Sequence, residues 1–228
     1  MNQKDEKSSA QQIDLTDAYS VKTPEDSRRL YATWAESYNE TFIEANKYVY
    51  PHRVAELFVE NVPDSGFEDV IDIGCGTGAV GTYLAKLRPE LSIDGFDISP
   101  EMLTQAAQTR RLDNSPVYSN LQEVDLTSAL PNKTYSAMIS AGTFTHGHLG
   151  PETLLRIFDL VRISGWFVIG INAEHYKAHG FTETIQTAIS AEIISEPEVH
   201  VVDIYEPTSP HYGDKANICI FHRRKPVN

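Results

Sequence analysis

The sequence predicts an α/β fold built on a mostly parallel, doubly wound sheet, and three observations carry that prediction. From Asp69 onward, short apolar runs alternate with helix-patterned segments, the texture of strands joined by right-handed crossover helices. The first run, "VIDIG" from Val70 to Gly74, opens a stretch in which glycine takes every second place, at Gly74, Gly76 and Gly78. The chain then closes with "EVHVVDIYE" and "KANICIFHRR", separated only by the turn cluster "PTSPHYGD". That gap has no room for a crossover helix, so the two runs must pair antiparallel.

The elements follow in chain order. Residues 1–23 are polar and poor in large apolar groups, and read as a mobile tail. Residues 24–228 read as one domain, with a helical segment over 24–66 and the α/β core over 67–228. "TPEDSRRLYATWAESYNE" offers Thr23 as a cap, Pro24 at the first helical position and acids in the first turn, with Leu30, Trp34 and Tyr38 spaced by four. A second amphipathic helix starts at Pro51 and puts Val54, Leu57, Phe58 and Val62 on one face. In the core, "DVIDIG" precedes a helix from Ala79 to Leu87, and "LSIDGFD" precedes one from Ser99 to Thr109. "PVYSN" and "YSAMISAG" follow, then a helix from Pro151 to Val161, "GWFVIGIN", and a helix from Thr182 to Ala191.

Composition narrows the function. A chain of 228 residues makes one ordinary α/β domain that buries roughly 70% of its unfolded surface. Nineteen Lys and Arg against thirty-two Asp and Glu leave a formal charge of −13, which repels polyanions and argues against a nucleic-acid partner. No apolar run has the length of a membrane span and none of signal-peptide type opens the chain, so a cytoplasmic protein without a membrane partner is expected, as a monomer or homodimer. Cys75 and Cys219 form no metal-ligand spacing and read as small core residues.

The glycine run carries the chemistry. In a doubly wound sheet the ligand sits at the carboxyl ends of the strands, where bare glycine lets it approach the backbone. "GTGAVG" also has dinucleotide-fingerprint spacing, so the run alone does not choose between cofactors. The next strand ends in Asp97, placed to accept hydrogen bonds from both hydroxyls of a ribose. Three features turn the choice away from a dinucleotide. Asp72, just before the glycines, suits an ammonium better than a pyrophosphate; the nucleotide strand comes after nearly seventy residues; and the antiparallel pair closes the sheet where a dehydrogenase would continue.

Asp72, Gly74, Gly76 and Gly78, with "FDIS" from Phe96 to Ser99 and "SPEMLTQA", resemble the class I S-adenosylmethionine-dependent methyltransferases over about residues 27–225. More narrowly, "YATWAESYNE", "DISPEML" and "SAMISAGTFTHGHL" resemble the methyltransferase-like proteins of the Williams–Beuren region and their bacterial relatives. The resemblance implies a Rossmann-like seven-stranded sheet with an antiparallel last strand, covered by N-terminal helices. It implies S-adenosylmethionine as cofactor and S-adenosylhomocysteine as product. By the same likeness, the loop of Gly74, Cys75, Gly76 and Gly78 would pack on the methionyl part, with Asp72 reaching its amino group directly or through water. Asp97 would hold the ribose, Ile98 the adenine face, and Asp125 with Leu126 the adenine edge. Ala141, Gly142 and Thr143 would border the sulfonium, and Tyr38 would cover the cofactor from the N-terminal helix.

Methyl transfer asks the protein to orient a nucleophile and exclude water, so a base is optional. His146, in "FTHGHLG" after the fourth strand, is the candidate if the acceptor is a hydroxyl or acidic carbon. The two histidines of "HGH" lack carboxylate or cysteine companions, so no metal is expected. The fourth strand ends in "SAGTF" and not in the Asn/Asp-Pro-Pro-Tyr that the resemblance associates with methylation of amide or adenine nitrogens. A small-molecule acceptor is the expected substrate. A non-catalytic S-adenosylmethionine-binding scaffold is the alternative, and a dehydrogenase a distant third.

Overall fold

The computed structural model describes residue 21 and residues 23–227. Residues 1–20, most of the expected mobile tail, lie outside the described residues. Of the remainder, Val21 is buried and Thr23 caps the first helix.

The core is a seven-stranded sheet of β1 (Asp69–Ile73), β2 (Ser92–Asp97), β3 (Tyr118–Glu123), β4 (Tyr135–Phe144), β5 (Val161–Asn172), β6 (Glu198–Asp203) and β7 (Lys215–His222), in the order β3-β2-β1-β4-β5-β7-β6. Strands β3, β2, β1, β4 and β5 pair in parallel. β7 runs antiparallel to both of its neighbours, with Val168 opposite Ile220 and Val201 opposite Asn217. The order reverses between β1 and β4, which places a cleft at their carboxyl ends.

The sheet buries both faces, and β1 shows how. Val70 joins a core with Val54 and Phe58 of α2 (Tyr50–Asn61) and Leu84 of α3 (Ala79–Leu87). Ile71 and Ile73 point to the opposite core, with Leu154 and Ile157 of α5 (Pro151–Ile157) and Ile185 of α7 (Phe181–Ser190). This period of two in a strand apolar on both faces is what a parallel central strand requires. Asp72 shares the Val70 face and is therefore carried beneath the glycine loop.

Helix α1 (Pro24–Trp34) begins as the sequence predicts: the Thr23 hydroxyl accepts from the Asp26 N–H, and the Asp26 carboxylate accepts from the Thr23 N–H, each at 3.1 Å. It ends early. The regular helix expected through Glu40 stops at Trp34, and after a turn the chain forms a π-helical segment, Asn39–Glu44. The wider winding leaves Tyr38 and Phe42 stacked, ring centroids 4.9 Å apart. Two other helices are shorter than expected. α4 (Pro100–Ala106) stops before Thr109, and α5 gives way to a 3-10 turn because Val161 already begins β5. A short helix, α6 (Ala173–Ala178), stands where no helix is expected; the Asn172 side chain caps it by accepting from the Glu174 and His175 N–H groups. Among the described residues no helix is long and apolar enough to cross a membrane.

Candidate active site

The glycine loop turns immediately after β1. Gly74 and Gly76 take positive φ of 64° and 54°, which L side chains rarely adopt. A Cβ on Gly74 would strike Thr143, whereas a Cβ on Gly76 would meet nothing and stand in open space. Gly74 is therefore glycine because the tips of β1 and β4 touch, and the bare backbone at Gly76 faces a cavity. Two hydroxyls lock that junction, Ser140 at 2.8 Å and Thr143 at 3.0 Å, both donating to the Ile73 carbonyl.

Asp97, at the tip of β2, braces the loop from the other side. Its Oδ2 accepts from the Gly76 N–H at 2.8 Å and its Oδ1 from the Ser99 N–H at 2.9 Å. Burial raises its pKa, against the lowering effect of these backbone donors. Each oxygen keeps a further lone pair, so the carboxylate can still accept hydroxyl donors. Asp125 sits in the loop after β3, where its Oδ1 accepts from the Thr127 N–H (2.9 Å) and hydroxyl (2.6 Å).

These groups open on one cavity of about 340 Å³. Gly74, Cys75 and Gly76 form part of its floor, Asp97 and Ile98 one side, and Asp125 and Leu126 the side beyond them. Ala141 and Gly142, from β4, complete the sheet wall. Tyr38 lines the cavity from the helical segment, together with Tyr31, Trp34 and Phe42. Asn39 fastens that segment to the glycine loop by accepting from the Thr77 hydroxyl at 2.7 Å.

The structure does not bring three of the expected residues to the cavity wall. Asp72 is fully buried below the loop, where the Tyr118 hydroxyl donates to its Oδ2 at 2.7 Å. Burial pushes its carboxyl up to about 7, with the charge of Asp97 adding and the Tyr118 hydrogen bond and Gly81 backbone opposing. Gly78 caps α3 with a positive φ of 90° and packs on Tyr118 instead. His146 faces away, its ring 5.6 Å from that of His175; the imidazole on the cavity is His148.

Sequence reasoning passed over His148 as a base, and with it the contact that fixes its state. Its Nδ1 lies 2.9 Å from the His146 carbonyl oxygen, which can only accept, so Nδ1 carries the hydrogen. In the neutral ring Nε2 then holds the lone pair, and Tyr31 donates to it at 2.8 Å. Burial lowers the His148 pKa and favours this neutral form. Tyr48 and Tyr205, also on the cavity, come from segments far apart in the chain and carry no motif. Among the described residues no group of three or more His, Cys, Asp or Glu is placed to hold a metal ion.

The arrangement fits S-adenosylmethionine: a carboxylate at the tip of the second strand, backbone without side chains beside it, and a cavity beyond both. Comparison with known proteins agrees. Residues 71–167 match the methyltransferase domain family. The ribosomal RNA small subunit methyltransferase C of Psychromonas ingrahamii is 36% identical over 76 residues, 30% of this chain and 22% of that protein. The malonyl-[acyl-carrier protein] O-methyltransferase 1 of Ilyobacter polytropus is 34% identical over 76 residues, 33% of this chain and 27% of that protein. The chain thus spans about a quarter or less of the length of these curated relatives.

Among solved structures, an S-adenosylmethionine-dependent methyltransferase from Clostridium acetobutylicum superimposes with a TM-score of 0.57 at 16% identity, covering 86% of this chain and 99% of the other. The magnesium protoporphyrin IX methyltransferase of Synechocystis, with S-adenosylmethionine bound, gives 0.55 at 15% identity, covering 85% and 96%. At such identities the likeness establishes the fold alone, a Rossmann-like mostly parallel sheet.

Proposed function

We propose, for a chain of the class I S-adenosylmethionine-dependent methyltransferase kind, that it transfers a methyl group to a small-molecule acceptor held between the sheet and the N-terminal helical segment. The observation that carries this reading is the cavity itself. It is roofed by α1 and the π-helical segment, within the size range of small-molecule pockets. An open basic groove, which a polynucleotide would need, is a different surface, and a net charge of −13 opposes one.

In this reading Asp97 holds the ribose hydroxyls, Asp125 and Leu126 the adenine edge, and Ile98 the adenine face. The bare backbone from Gly74 to Gly76 receives the methionyl part, and Ala141 and Gly142 border the reacting sulfur. Asp72 acts from beneath, by holding the loop through its buried position and not by touching the cofactor. When bound, S-adenosylmethionine supplies an electrophilic methyl group on a sulfonium. The chain's own contribution is to orient the acceptor behind that methyl and keep water out, which falls to Tyr38, Trp34 and the rest of the roof.

The test is incubation with methyl-labelled S-adenosylmethionine and cell extract separated into metabolites, protein and nucleic acid. Label is expected in the metabolite fraction. Label chiefly in nucleic acid, the acceptor named for the ribosomal RNA relatives, would overturn the small-molecule reading. Binding of the cofactor with no label transferred to any fraction would turn it toward the scaffold alternative.

A further inference from the structure

Part of the cavity's lining is a belt of rings. Tyr31 meets Trp34 edge-on at 5.9 Å and Tyr38 at 6.4 Å; Tyr38 stacks on Phe42 at 4.9 Å; Phe42 meets Tyr48 at 5.0 Å and Tyr48 meets Tyr205 at 5.2 Å. All six line the cavity. Such a belt offers large, rigid apolar faces and suits a flat apolar guest.

The charges of the lining are one-sided. Its acidic side chains are Asp97 and Asp125, and among the described residues lining the cavity none is lysine or arginine. Arg28 approaches Asp125 from outside the lining, at 3.9 Å. Among the described residues lining the cavity, a carboxylate or phosphate of the acceptor would find no lysine or arginine to pair with. A neutral hydroxyl that reacts through its oxygen has to give up its proton inside the cavity.

One group on the wall is set to take that proton. His148 is the imidazole of the lining, its tautomer fixed by the His146 carbonyl, with the Nε2 lone pair turned to the Tyr31 hydroxyl at 2.8 Å. The titratable groups that face it are Tyr31 from α1 and, across the loop, His146 and His175. The carboxylates are already engaged by backbone and hydroxyl donors.

We propose that the acceptor is an uncharged aromatic hydroxyl compound, of phenol type, and that His148 is its general base with Tyr31 as the residue that positions the imidazole. The assignment rests on the methyltransferase reading. As the new O–CH₃ bond forms, the S–CH₃ bond breaks and leaves its electron pair on sulfur. The phenolic proton passes to His148 Nε2, displacing the Tyr31 hydrogen bond, and leaves from there to solvent. The proton and charge balance closes with an aryl methyl ether, S-adenosylhomocysteine and a solvated proton.

The experiment uses the full chain and begins with S-adenosylhomocysteine titrated by calorimetry. Absence of binding would remove the methyltransferase reading, and this assignment with it. If it binds, the loaded protein is titrated with three probes of one shape: 2-naphthol, 2-naphthoate and 2-naphthylmethylammonium. The naphthol is expected to bind at least about tenfold tighter than either charged probe. Equal or tighter binding of the carboxylate or the ammonium, or binding of none of the three, would overturn the acceptor class while leaving the methyltransferase reading intact. His148→Gln should then lower methylation of 2-naphthol by about 10²–10⁴ with unchanged affinity for S-adenosylhomocysteine, which also reports that the variant folds. The wild-type rate should rise through one ionisation below the ordinary histidine value, and that step should vanish in the variant. Tyr31→Phe should raise the pKa of His148 read by NMR, because the donor that favours the neutral ring is gone, and should move the ionisation seen in the rate upward with it. A His148→Gln rate and pH profile matching wild type would overturn the base.

Discussion

The two walls of the cavity are built by different means. The sheet wall is backbone and carboxylate: Gly74 and Gly76 at the tip of β1, Asp97 at the tip of β2, Asp125 after β3, Ala141 and Gly142 in β4. The facing wall is side chain: six aromatic rings from Tyr31 to Tyr205, with His148, drawn from α1, the π-helical segment and three later segments. On the first wall each position answers to sheet geometry, since strand tips fall where the register puts them. On the second, only the rings' shape and polarity are constrained. In the proposed reading, the difference separates generality from specificity: the sheet wall would serve any acceptor, and the ring wall would select one.

The largest effect should come from filling the sheet wall. Gly76→Val adds branched carbons at a positive φ, which strains the backbone, and directs them into the cavity. S-adenosylhomocysteine affinity is expected to fall by about 10³ or more while the fold survives, because no neighbour lies within 4 Å of a Cβ there. Trp34→Ala, on the ring wall, should cost the cofactor far less than the acceptor. Equal losses of cofactor affinity in the two variants, by calorimetry, would erase the distinction between the walls.

Next is the carboxylate that holds the sheet wall together. Asp97→Ala removes the acceptor of the Gly76 and Ser99 N–H groups, and with it the acceptor proposed for the ribose hydroxyls. A loss of roughly 2–4 kcal/mol in cofactor binding is expected, on the scale of charge-assisted hydrogen bonds. Unchanged affinity in a folded variant would remove Asp97 from the site.

A third prediction probes what lies beneath that wall. The Asp72 carboxyl is pushed by burial up to about 7, above its ordinary value near 4. Between those two pH values the native state keeps a proton that the unfolded chain has released, so stability falls as pH rises through the window and levels off above it. Asp72→Asn removes that equilibrium and leaves an oxygen for the Tyr118 hydroxyl. The variant's stability relative to wild type, from urea unfolding without cofactor, should therefore grow between about pH 4 and 7, by on the order of 2–3 kcal/mol. A difference constant across that range would refute the assignment.

The same division explains what the sequence reveals. The alternation of β and α patterns, the glycine run and the acid at the end of β2 follow from local chemistry, and a seven-stranded sheet with a reversed last strand is what the resemblance implies. Asp72 was legible as a special residue but not as a buried one; its direction depends on strand parity and on Tyr118, a partner 46 residues away. The histidine pair "HGH" marked the right loop, yet which ring faces inward is decided by the turn after β4 and by Tyr31, 117 residues from His148. His146→Ala is accordingly expected to lower turnover less than about tenfold, because its ring meets His175 and does not line the cavity. A loss of 10² or more would return the base to His146.

The smallest effect should appear where the two walls meet. Arg28 of α1 reaches across to the sheet edge, with Glu25 at 3.5 Å, Glu123 at 3.7 Å and Asp125 at 3.9 Å. None of these distances is a good hydrogen bond, and the arginine side chain is 32% exposed, so the cluster belongs with surface ion pairs worth about 0–1 kcal/mol. The weak approach also leaves Asp125 Oδ2 available, so Arg28 does not compete with an adenine amino group for it. Its effect is to hold the roof down. Arg28→Ala should speed release of S-adenosylhomocysteine about two- to fivefold in low salt by stopped-flow measurement, and the difference should shrink as salt screens the wild-type pair. Slower release in the variant would mean that Arg28 opposes the cofactor at Asp125, and that the roof is held by Asn39 and Tyr31 alone.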